Sequence, residues 1–223
     1  MEKLVLFDID GTLIDSGAAG SRSWNQAFWS TFAIRDALKG IQMDGKTDIQ
    51  ILREGMAAHG LTLDDSLLLE ITTRYLENLR SEIENPAAHI QPGVMALLNF
   101  LDANDKYAVG LLTGNLESGA RIKLDPFGLN QYFALGAFGS DHEDRNRLLP
   151  IAVEKYKKMS GEKIRYEDCV VIGDTPRDVQ CAQPYRAQTI AVATGNYTYD
   201  SLLVTSADYV IQNLRQAIPL FDI

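Results

Sequence analysis

The chain has 223 residues, of which 46% are hydrophobic and 23% charged, the composition of an ordinary globule with room for one large domain or one domain with an insertion. Its formal net charge of −9, without Lys/Arg blocks, argues against a nucleic-acid surface. No apolar run approaches the roughly 20 residues of a membrane span, residues 1–3 leave no room for a signal peptide, and two cysteines make no disulfide framework, so we expect a cytoplasmic protein.

The first predicted strand, residues 4–7, is an apolar run that ends in two carboxylates, Asp8 and Asp10. Parallel sheets bind ligands at the carboxyl ends of their strands. Two like charges about 4 Å apart, at an effective dielectric constant near 20, repel each other by ~4 kcal/mol. The pair therefore needs a compensating partner, and a hard divalent cation is the commonest one. An Asp-Gly turn without any ligand is the alternative interpretation.

About ninety residues without a strand-like run separate this strand from the second, at 108–112, although a crossover needs only a dozen or so residues plus loops. Apolar residues at helical spacing predict helix throughout 21–84, with breaks at residues 44–46 and at Gly60. We therefore predict a small helical domain at residues 17–86, inserted into a core of residues 1–16 and 87–223.

The remaining chain alternates apolar strands with amphipathic helices, which is typical of a doubly wound parallel sheet. The predicted fold class is α/β, a Rossmann-like doubly wound parallel sheet with a small helical bundle inserted after the first strand. The further predicted strands are 169–172, 189–192 and Tyr209–Ile211, and the predicted helices are Val94–Asp102, Glu117–Leu124 and 149–159.

Two further strand ends are polar. Thr113, Gly114 and Asn115 follow the second predicted strand, and a hydroxyl with glycine-flanked N–H groups suits an anionic oxygen. Asp174 and Asp178 follow the third strand. Each segment alone has a structural explanation, as a helix start or as an acid in a first helical turn. Three polar strand ends in one parallel sheet instead predict a functional site.

These segments, DIDGT at 8–12, TGN at 113–115 and GDTPRD at 173–178, resemble the first, second and fourth motifs of the haloacid dehalogenase superfamily of phosphotransferases. The resemblance spans essentially the whole chain. The helical insertion resembles the superfamily's α-helical cap, as in phosphoglycolate phosphatases and β-phosphoglucomutases. The resemblance implies a Mg²⁺-dependent phosphatase that acts on a small phosphorylated metabolite.

The resemblance also implies the reacting residues. Asp8 is the expected nucleophile, forming an aspartyl-phosphate, and Asp10 is the expected general acid and base. Four carboxylates and a substrate dianion sum to about −6, which one Mg²⁺ and one side-chain cation reduce to about −3. At least one acid must therefore be protonated or well separated, and Asp10 is the natural candidate because a general acid begins protonated.

The binding residues follow from the same resemblance. Mg²⁺ is implied to be held by the Asp8 and Asp174 carboxylates and by the Asp10 backbone carbonyl. Asp178 is implied to orient a metal-bound water or the site's cationic side chain. The groups implied to hold the phosphoryl oxygens are one hydroxyl and two backbone amides, those of Thr113, Gly114 and Asn115.

The third motif departs from the pattern, because the usual Lys-Pro pair does not occur in this chain. Either Arg145 or Arg147 takes the cationic role in our interpretation, and we prefer Arg145. Arginine can bind a phosphoryl group through two N–H donors but is not a geometric copy of lysine. The alternative is that both arginines lie on a solvated loop.

Alternative reactions remain open. Asp10 argues against dehalogenation, because a halide leaving group needs no proton. A β-phosphoglucomutase-like mutase is the main alternative. Aligned on Gly45, the position where those mutases carry an arginine for a second phosphate holds Asp48, and an acid there would repel a distal phosphate. A non-catalytic binding or regulatory module is disfavoured by the presence of Asp8 and Asp174.

Lys46 and Thr47 are the candidate substrate contacts in the cap, although a solvated lysine is the ordinary alternative at a helix start. Residues 15–20 and 85–92 are the expected hinges for cap closure. The expected partner is a small-molecule phosphate ester, with neither nucleic acid nor membrane, and the chain is expected to be a monomer or a homodimer.

Overall fold

A computed structural model of the protein describes residues 3–221. The predicted ends of the core, residues 1–2 and 222–223, lie outside the described residues. In chain order the strands are β1 (Lys3–Phe7), β2 (Ile14–Asp15), β3 (His89–Ile90), β4 (Tyr107–Leu112), β5 (Gly136–Ala137), β6 (Cys169–Gly173), β7 (Gln188–Val192) and β8 (Tyr209–Ile211).

The central sheet of residues 3–221 contains six parallel strands in the order β5-β4-β1-β6-β7-β8. Strand β1 lies between β4 and β6, with Leu6 opposite Gly110 on one side and Val171 on the other. Alternate residues of β1 face opposite sides of the sheet: Val5 and Phe7 belong to one buried cluster, Leu4 and Leu6 to another. Both faces are therefore covered, as a parallel sheet requires, and the predicted fold class is confirmed.

The helices are α1 (Ala19–Phe32), α2 (Asp48–Ala58), α3 (Asp65–Glu82), α4 (Val94–Asp102), α5 (Glu117–Leu124), α6 (Leu148–Ser160), α7 (Pro176–Ala182) and α8 (Tyr199–Leu203). Helices α1, α2 and α3 with their connections, between β2 and β3, are called the helical insert below. Trp24 of α1 stacks on Tyr75 of α3 with ring centroids 4.0 Å apart, which holds the two longest helices of the insert together.

The structure differs from the sequence predictions at several elements: β2, β3, β5 and α8 were not predicted, and one predicted helical stretch is irregular. Strand β5 was not predicted, because two small residues make no apolar run. Residues 33–47, predicted as helix up to residue 43, contain no helix. The backbone is left-handed at Ala33 (φ 56°), Asp36 (φ 49°) and Gly40 (φ 84°), and left-handed residues cannot continue a right-handed helix. The other predicted strands, and the three helices predicted beyond residue 93, are confirmed to within one residue at each end.

The two connections to the helical insert pair with each other. Strands β2 and β3 form an antiparallel ribbon in which Ile14 lies opposite Ile90 and Asp15 opposite His89. The predicted hinge segment 15–20 begins in this ribbon and the segment 85–92 contains its second strand, so the two connections are held to each other. Among residues 3–221, no helix combines the length and apolar character needed to cross a membrane.

Candidate active site

Three buried carboxylates meet where β1 and β6 end. Asp8 follows β1, Asp174 follows β6, and Asp178 lies in the first turn of α7. One carboxylate oxygen of each residue lies within 4.8 Å of an oxygen of the other two. Among residues 3–221, these three side chains are close enough together to bind one metal ion. Burying several carboxylates together is costly without positive charge. The donor set therefore fits a hard divalent cation such as Mg²⁺.

Two glycines make room for the Asp174 carboxylate. A Cβ atom at Gly11 would lie 2.4 Å from Asp174 Oδ2, and one at Gly195 would lie 1.8 Å from it. Thr12 donates a hydrogen bond of 3.2 Å to Asp174 Oδ1. Sequence reasoning did not single out Gly195, although Thr194-Gly195-Asn196 after β7 repeats the Thr-Gly-Asn sequence of residues 113–115. Its contribution is the space left by a missing side chain.

We predict that Gly195→Ala displaces the Asp174 carboxylate and raises the Mg²⁺ concentration for half-maximal activity by about 10–100-fold, as loss of a ligand's support does. The measurement is a Mg²⁺ titration of turnover, with thermal melting to confirm the fold. Gly119→Ala in α5 is the matched control, because a Cβ there makes ordinary contacts of 3.6 Å. An unchanged Mg²⁺ dependence in Gly195→Ala would contradict the proposed packing role.

Arg145 is the cation at the carboxylate cluster. It is buried, its Nη2 lies 3.2 Å from Asp8 Oδ1, and it also donates to Asp178. Its Nη1 donates to the backbone carbonyl of Gly45 in the helical insert, at 3.1 Å. Its Nε has no hydrogen-bond partner within residues 3–221. Arg147 is exposed, so the geometry favours Arg145 for the role expected of the third motif.

Asp178 is saturated by hydrogen bonds. Its Oδ2 accepts from the backbone N–H of Thr175 at 2.9 Å and from the Thr175 hydroxyl at 2.7 Å, while Oδ1 accepts from Arg145. A Cβ at Gly173 would lie 2.0 Å from the Asp178 carboxyl carbon, so only glycine fits beside it. Of the two roles expected for Asp178, the geometry favours orientation of the cationic side chain.

Burial raises the pKa of Asp8 to about 6, because the neighbouring Arg145 only partly offsets it and Asp178 adds to it. Burial, together with the charges of Asp178 and Asp8, also raises the pKa of Asp174 well above its usual range. In the metal-free protein these carboxyls therefore bind protons more tightly in the folded state than in the unfolded chain.

This difference predicts a pH-dependent stability. Because the folded-state pKa of Asp8 is raised, its favourable contribution is present at low pH and is lost as pH rises from about 3.8 to about 6. In EDTA, the melting temperature of Asp8→Asn should therefore exceed that of wild type by an amount that grows between pH 4 and pH 7. Saturating Mg²⁺ should remove this gain. Parallel melting curves across the whole range would contradict the raised pKa.

Asp10 is not part of the three-carboxylate cluster and has its own set of hydrogen-bond donors. Its Oδ2 accepts from Lys123 Nζ at 2.6 Å and from Asn115 Nδ2 at 2.9 Å, and its Oδ1 accepts from the Ser16 hydroxyl at 2.9 Å. Burial opposes ionisation, but Lys123 and these hydrogen bonds lower the pKa of Asp10. This direction opposes the expected protonation of Asp10, which stays a prediction, and the ammonium of Lys123 is the group that the expectation left out.

A sequence signal for Lys123 did exist. It shares the buried face of α5 with Gly119, Ala120 and Leu124, and a lysine on such a face is rare unless an acid compensates it. The amphipathic pattern of the segment predicted the helix, but the lysine on its apolar face was not interpreted as a site residue.

Residues 113–115, the predicted second motif, make hydrogen bonds within their own loop and with the helical insert. Thr113 is fully buried, and its hydroxyl oxygen accepts from Asn115 Nδ2 at 2.9 Å. A Cβ at Gly114 would lie 2.1 Å from the Lys46 carbonyl, so glycine allows the insert to approach. Asp48 N donates to the Gly114 carbonyl at 2.7 Å. The insert therefore lies directly on the loop expected to bind the phosphoryl group.

The three insert residues singled out in the sequence have different positions. Lys46 lines the cavity at the site and pairs with Glu54 at 2.5 Å. Thr47 is fully buried, donates to the Glu143 carbonyl at 2.7 Å and caps α2, so its placement favours holding the insert on the core rather than contacting substrate. The Asp48 carboxylate accepts from the Trp24 indole and from the Leu116 N–H, which fixes it between insert and core.

A cavity of about 580 Å³ lies between the strand ends and the helical insert. Asp8, Asp10, Asp174 and Arg145 lie on its core side. The insert contributes both polar and apolar groups, among them Ser21, Trp24, Met43, Lys46 and Ile51. The space exceeds that of a phosphoryl group alone, so the leaving group of a small ester also fits beneath the insert.

A parallel α/β sheet with acids at adjacent strand ends and a helical insert over them defines a Rossmann-like hydrolytic enzyme. The sequence profile of the haloacid dehalogenase-like hydrolases matches residues 2–184, and the chain belongs to that family.

Relatives and solved structures agree with this assignment. Phosphoglycolate phosphatase 1 of Pseudomonas aeruginosa is 27% identical over 227 residues, covering 100% of this chain and 80% of the relative. Phosphoglycolate phosphatase of Yersinia pestis is 25% identical over 219 residues, covering 96% of this chain and 91% of the relative. The crystal structure of CbbY from Rhodobacter sphaeroides in complex with phosphate has a TM-score of 0.76 at 15% identity, covering 100% of both chains, and it shows the shared fold. The prediction of a phosphatase of this family is confirmed.

Proposed function

We propose that this phosphatase is Mg²⁺-dependent and hydrolyses a small phosphorylated metabolite through an aspartyl-phosphate on Asp8. The observation that carries the proposal is the convergence of the Asp8, Asp174 and Asp178 carboxylates, with the buried guanidinium of Arg145 paired to Asp8 and Asp178. Arg145 lines the cavity, and its buried Nε has no hydrogen-bond partner in the described part of the chain, residues 3–221. A buried cation with a free donor, next to a nucleophilic carboxylate, suits an incoming phosphoryl group.

The metal would be held by the Asp8 and Asp174 carboxylates and by the Asp10 backbone carbonyl. It would neutralise charge on the phosphoryl oxygens and make phosphorus more electrophilic. The raised pKa values of Asp8 and Asp174 support this assignment, because Arg145 offsets the burial of Asp8 only in part and no cation among the described residues offsets that of Asp174.

The proposed reaction has two steps, formation of the aspartyl-phosphate and its hydrolysis. Asp8 Oδ attacks phosphorus while the bond to the leaving alkoxide breaks, and a proton passes from Asp10 to that alkoxide. In the second step the Asp10 carboxylate takes a proton from water as water attacks the aspartyl-phosphate, which releases phosphate and restores Asp8. Lys123 and the hydrogen bonds that lower the pKa of Asp10 favour the ionised carboxylate that this second step uses. Arg145 and the amides of Gly114 and Asn115 stabilise the developing charge.

For the substrate, the proposal names a chemical class rather than one compound. The relatives' names favour small phosphorylated metabolites such as phosphoglycolate. We propose residues 17–86 as the cap, with its hinges at 15–20 and 85–92 and with Lys46 as its candidate substrate contact. A cytoplasmic location and a monomeric or homodimeric state stay predictions.

The test is release of inorganic phosphate from a panel of metabolite monophosphates. We expect turnover with Mg²⁺ and its loss in EDTA, with recovery on adding Mg²⁺ back. A β-phosphoglucomutase-like activity would instead convert a sugar 1-phosphate to its 6-phosphate without releasing phosphate. No metal-dependent turnover on any substrate would favour a non-catalytic binding module.

A further inference from the structure

Lys123 is a buried lysine with no part in the two steps above. It lies on α5, and the residue as a whole is 4% exposed. Its Nζ donates two hydrogen bonds, each of 2.6 Å, one to Asp10 Oδ2 and one to Asn115 Oδ1. A lysine this deeply buried is rare unless it is paired, and here its partner is the proposed acid and base of the reaction.

The same ammonium fixes two side chains at once. Asn115 receives Lys123 on its Oδ1 and donates through Nδ2 to Asp10 Oδ2 at 2.9 Å. Lys123 therefore determines which way the Asn115 amide faces, and both residues hold the same oxygen of Asp10. The other oxygen, Oδ1, is bound by one neutral hydroxyl, that of Ser16 at 2.9 Å. The two Asp10 oxygens are thus inequivalent.

The neighbouring residues enclose the Lys123 ammonium closely, so it has little room to turn away from Asp10. A Cβ placed on Gly20 of α1 would lie 3.4 Å from Lys123 Nζ, so the helical insert covers the lysine closely. The Lys123 side chain is 5% exposed, whereas that of Asp10 is 38% exposed. Both residues line the cavity. Lys123 thus contacts Asp10 from the buried side, while the Asp10 side chain stays partly exposed at the cavity.

We propose that Lys123 is a positioning residue for Asp10: together with Asn115 it anchors Oδ2, which leaves Oδ1 as the oxygen that exchanges a proton with the leaving alcohol and with water. This inference rests on the proposed function, in which Asp10 is the acid and base. Loss of Lys123 frees the Asp10 carboxylate to rotate, so proton transfer to the leaving group becomes slow while attack by Asp8 remains possible.

The test compares leaving groups. General acid assistance contributes about 10²–10⁴-fold to rate, and a poor leaving group such as an alkoxide needs it far more than 4-nitrophenolate does. We expect Lys123→Met and Lys123→Gln to lower kcat for an alkyl phosphate by about 10²-fold or more and for 4-nitrophenyl phosphate by less than about 10-fold. Equal losses on both substrates would overturn the inference, because a purely structural defect lowers both alike. The two variants guard against a fold defect in one of them.

A double variant sharpens the result. If Lys123 acts through Asp10, then Lys123→Met added to Asp10→Asn should cost less than about 3-fold further on the alkyl phosphate, because residues that act as a unit are not additive. A multiplied loss would overturn the inference. Lys155→Met is the matched control. Its partner Asp141 lies at 2.6 Å on the surface, so both substrates should keep wild-type rates.

Failure of the inference and failure of the proposed function give different results. If Asp10→Asn itself shows no dependence on the leaving group, Asp10 is not the acid and the proposed mechanism fails. If Asp10→Asn shows that dependence and the Lys123 variants do not, the mechanism stands and the positioning role alone is wrong.

Discussion

Replacing Asp8 by asparagine should abolish turnover, lowering kcat by at least about 10⁴-fold, as loss of a nucleophile does. Asparagine keeps the size of the side chain but removes the nucleophilic carboxylate and one charged metal ligand. The fold should persist, because the change removes a buried carboxyl rather than adding one. The measurement is phosphate release in single-turnover conditions, with intact mass after acid quench. Wild type should show a mass gain of one phosphoryl group, and Asp8→Asn none.

The control for this variant is Asp105→Asn, which makes the same chemical change at an exposed loop position and should leave turnover unchanged. Residual activity in Asp8→Asn above one thousandth of wild type, with the phosphoryl group still trapped on the protein, would place the nucleophile elsewhere. Residual activity without trapping would indicate direct attack by water.

The sheet was predictable because its central strands have a strong signal. Strand β1 is buried on both faces and therefore consists of consecutive apolar residues. Because it lies between β4 and β6, the residues that follow these three strands come together without further assumptions. The order of polar residues along the chain thus translated directly into a cluster that includes Asp8 and Asp174.

Strand β5 and residues 33–47 were not predictable for different reasons. A two-residue edge strand is specified by its partner β4 rather than by its own composition. Apolar residues of 33–47, such as Ala37 and Leu38, are buried, so their pattern resembles a helix. The backbone nevertheless turns at Asp36 and Gly40, and tertiary contacts outweigh the local spacing.

Within the site, the sequence predicts the positions of the reacting residues more directly than the contacts of the residues that support them. Asp8 and Asp174 were predicted as site residues because each is an acid directly after an apolar strand. Gly195 contributes only space for Asp174, and Lys123 reaches Asp10 from a helix that follows a different strand. Neither contact follows from spacing along the chain, since each depends on how two loops approach in three dimensions.

The second large effect is expected at Arg145, whose replacement by methionine should lower kcat by about 10²–10³-fold, the loss typical when a charge-stabilising donor is removed. It also leaves the buried carboxylates of Asp8 and Asp178 without their cation, so stability should fall, and more so without Mg²⁺. Steady-state kinetics at saturating Mg²⁺, with melting curves in EDTA and in Mg²⁺, measure both effects.

Arg145→Lys separates charge from geometry. A lysine keeps the positive charge beside Asp8 and Asp178, but one ammonium cannot reproduce the fork that also reaches the Gly45 carbonyl of the helical insert. We therefore expect Arg145→Lys to recover part of the rate lost in Arg145→Met and to remain about 10-fold below wild type. Arg147→Met, at the exposed neighbouring arginine, should change kcat by less than about 2-fold, as surface substitutions do. Wild-type turnover in Arg145→Lys would mean that the contact with Gly45 is irrelevant to catalysis, and a large loss in Arg147→Met would reverse the assignment of the cation.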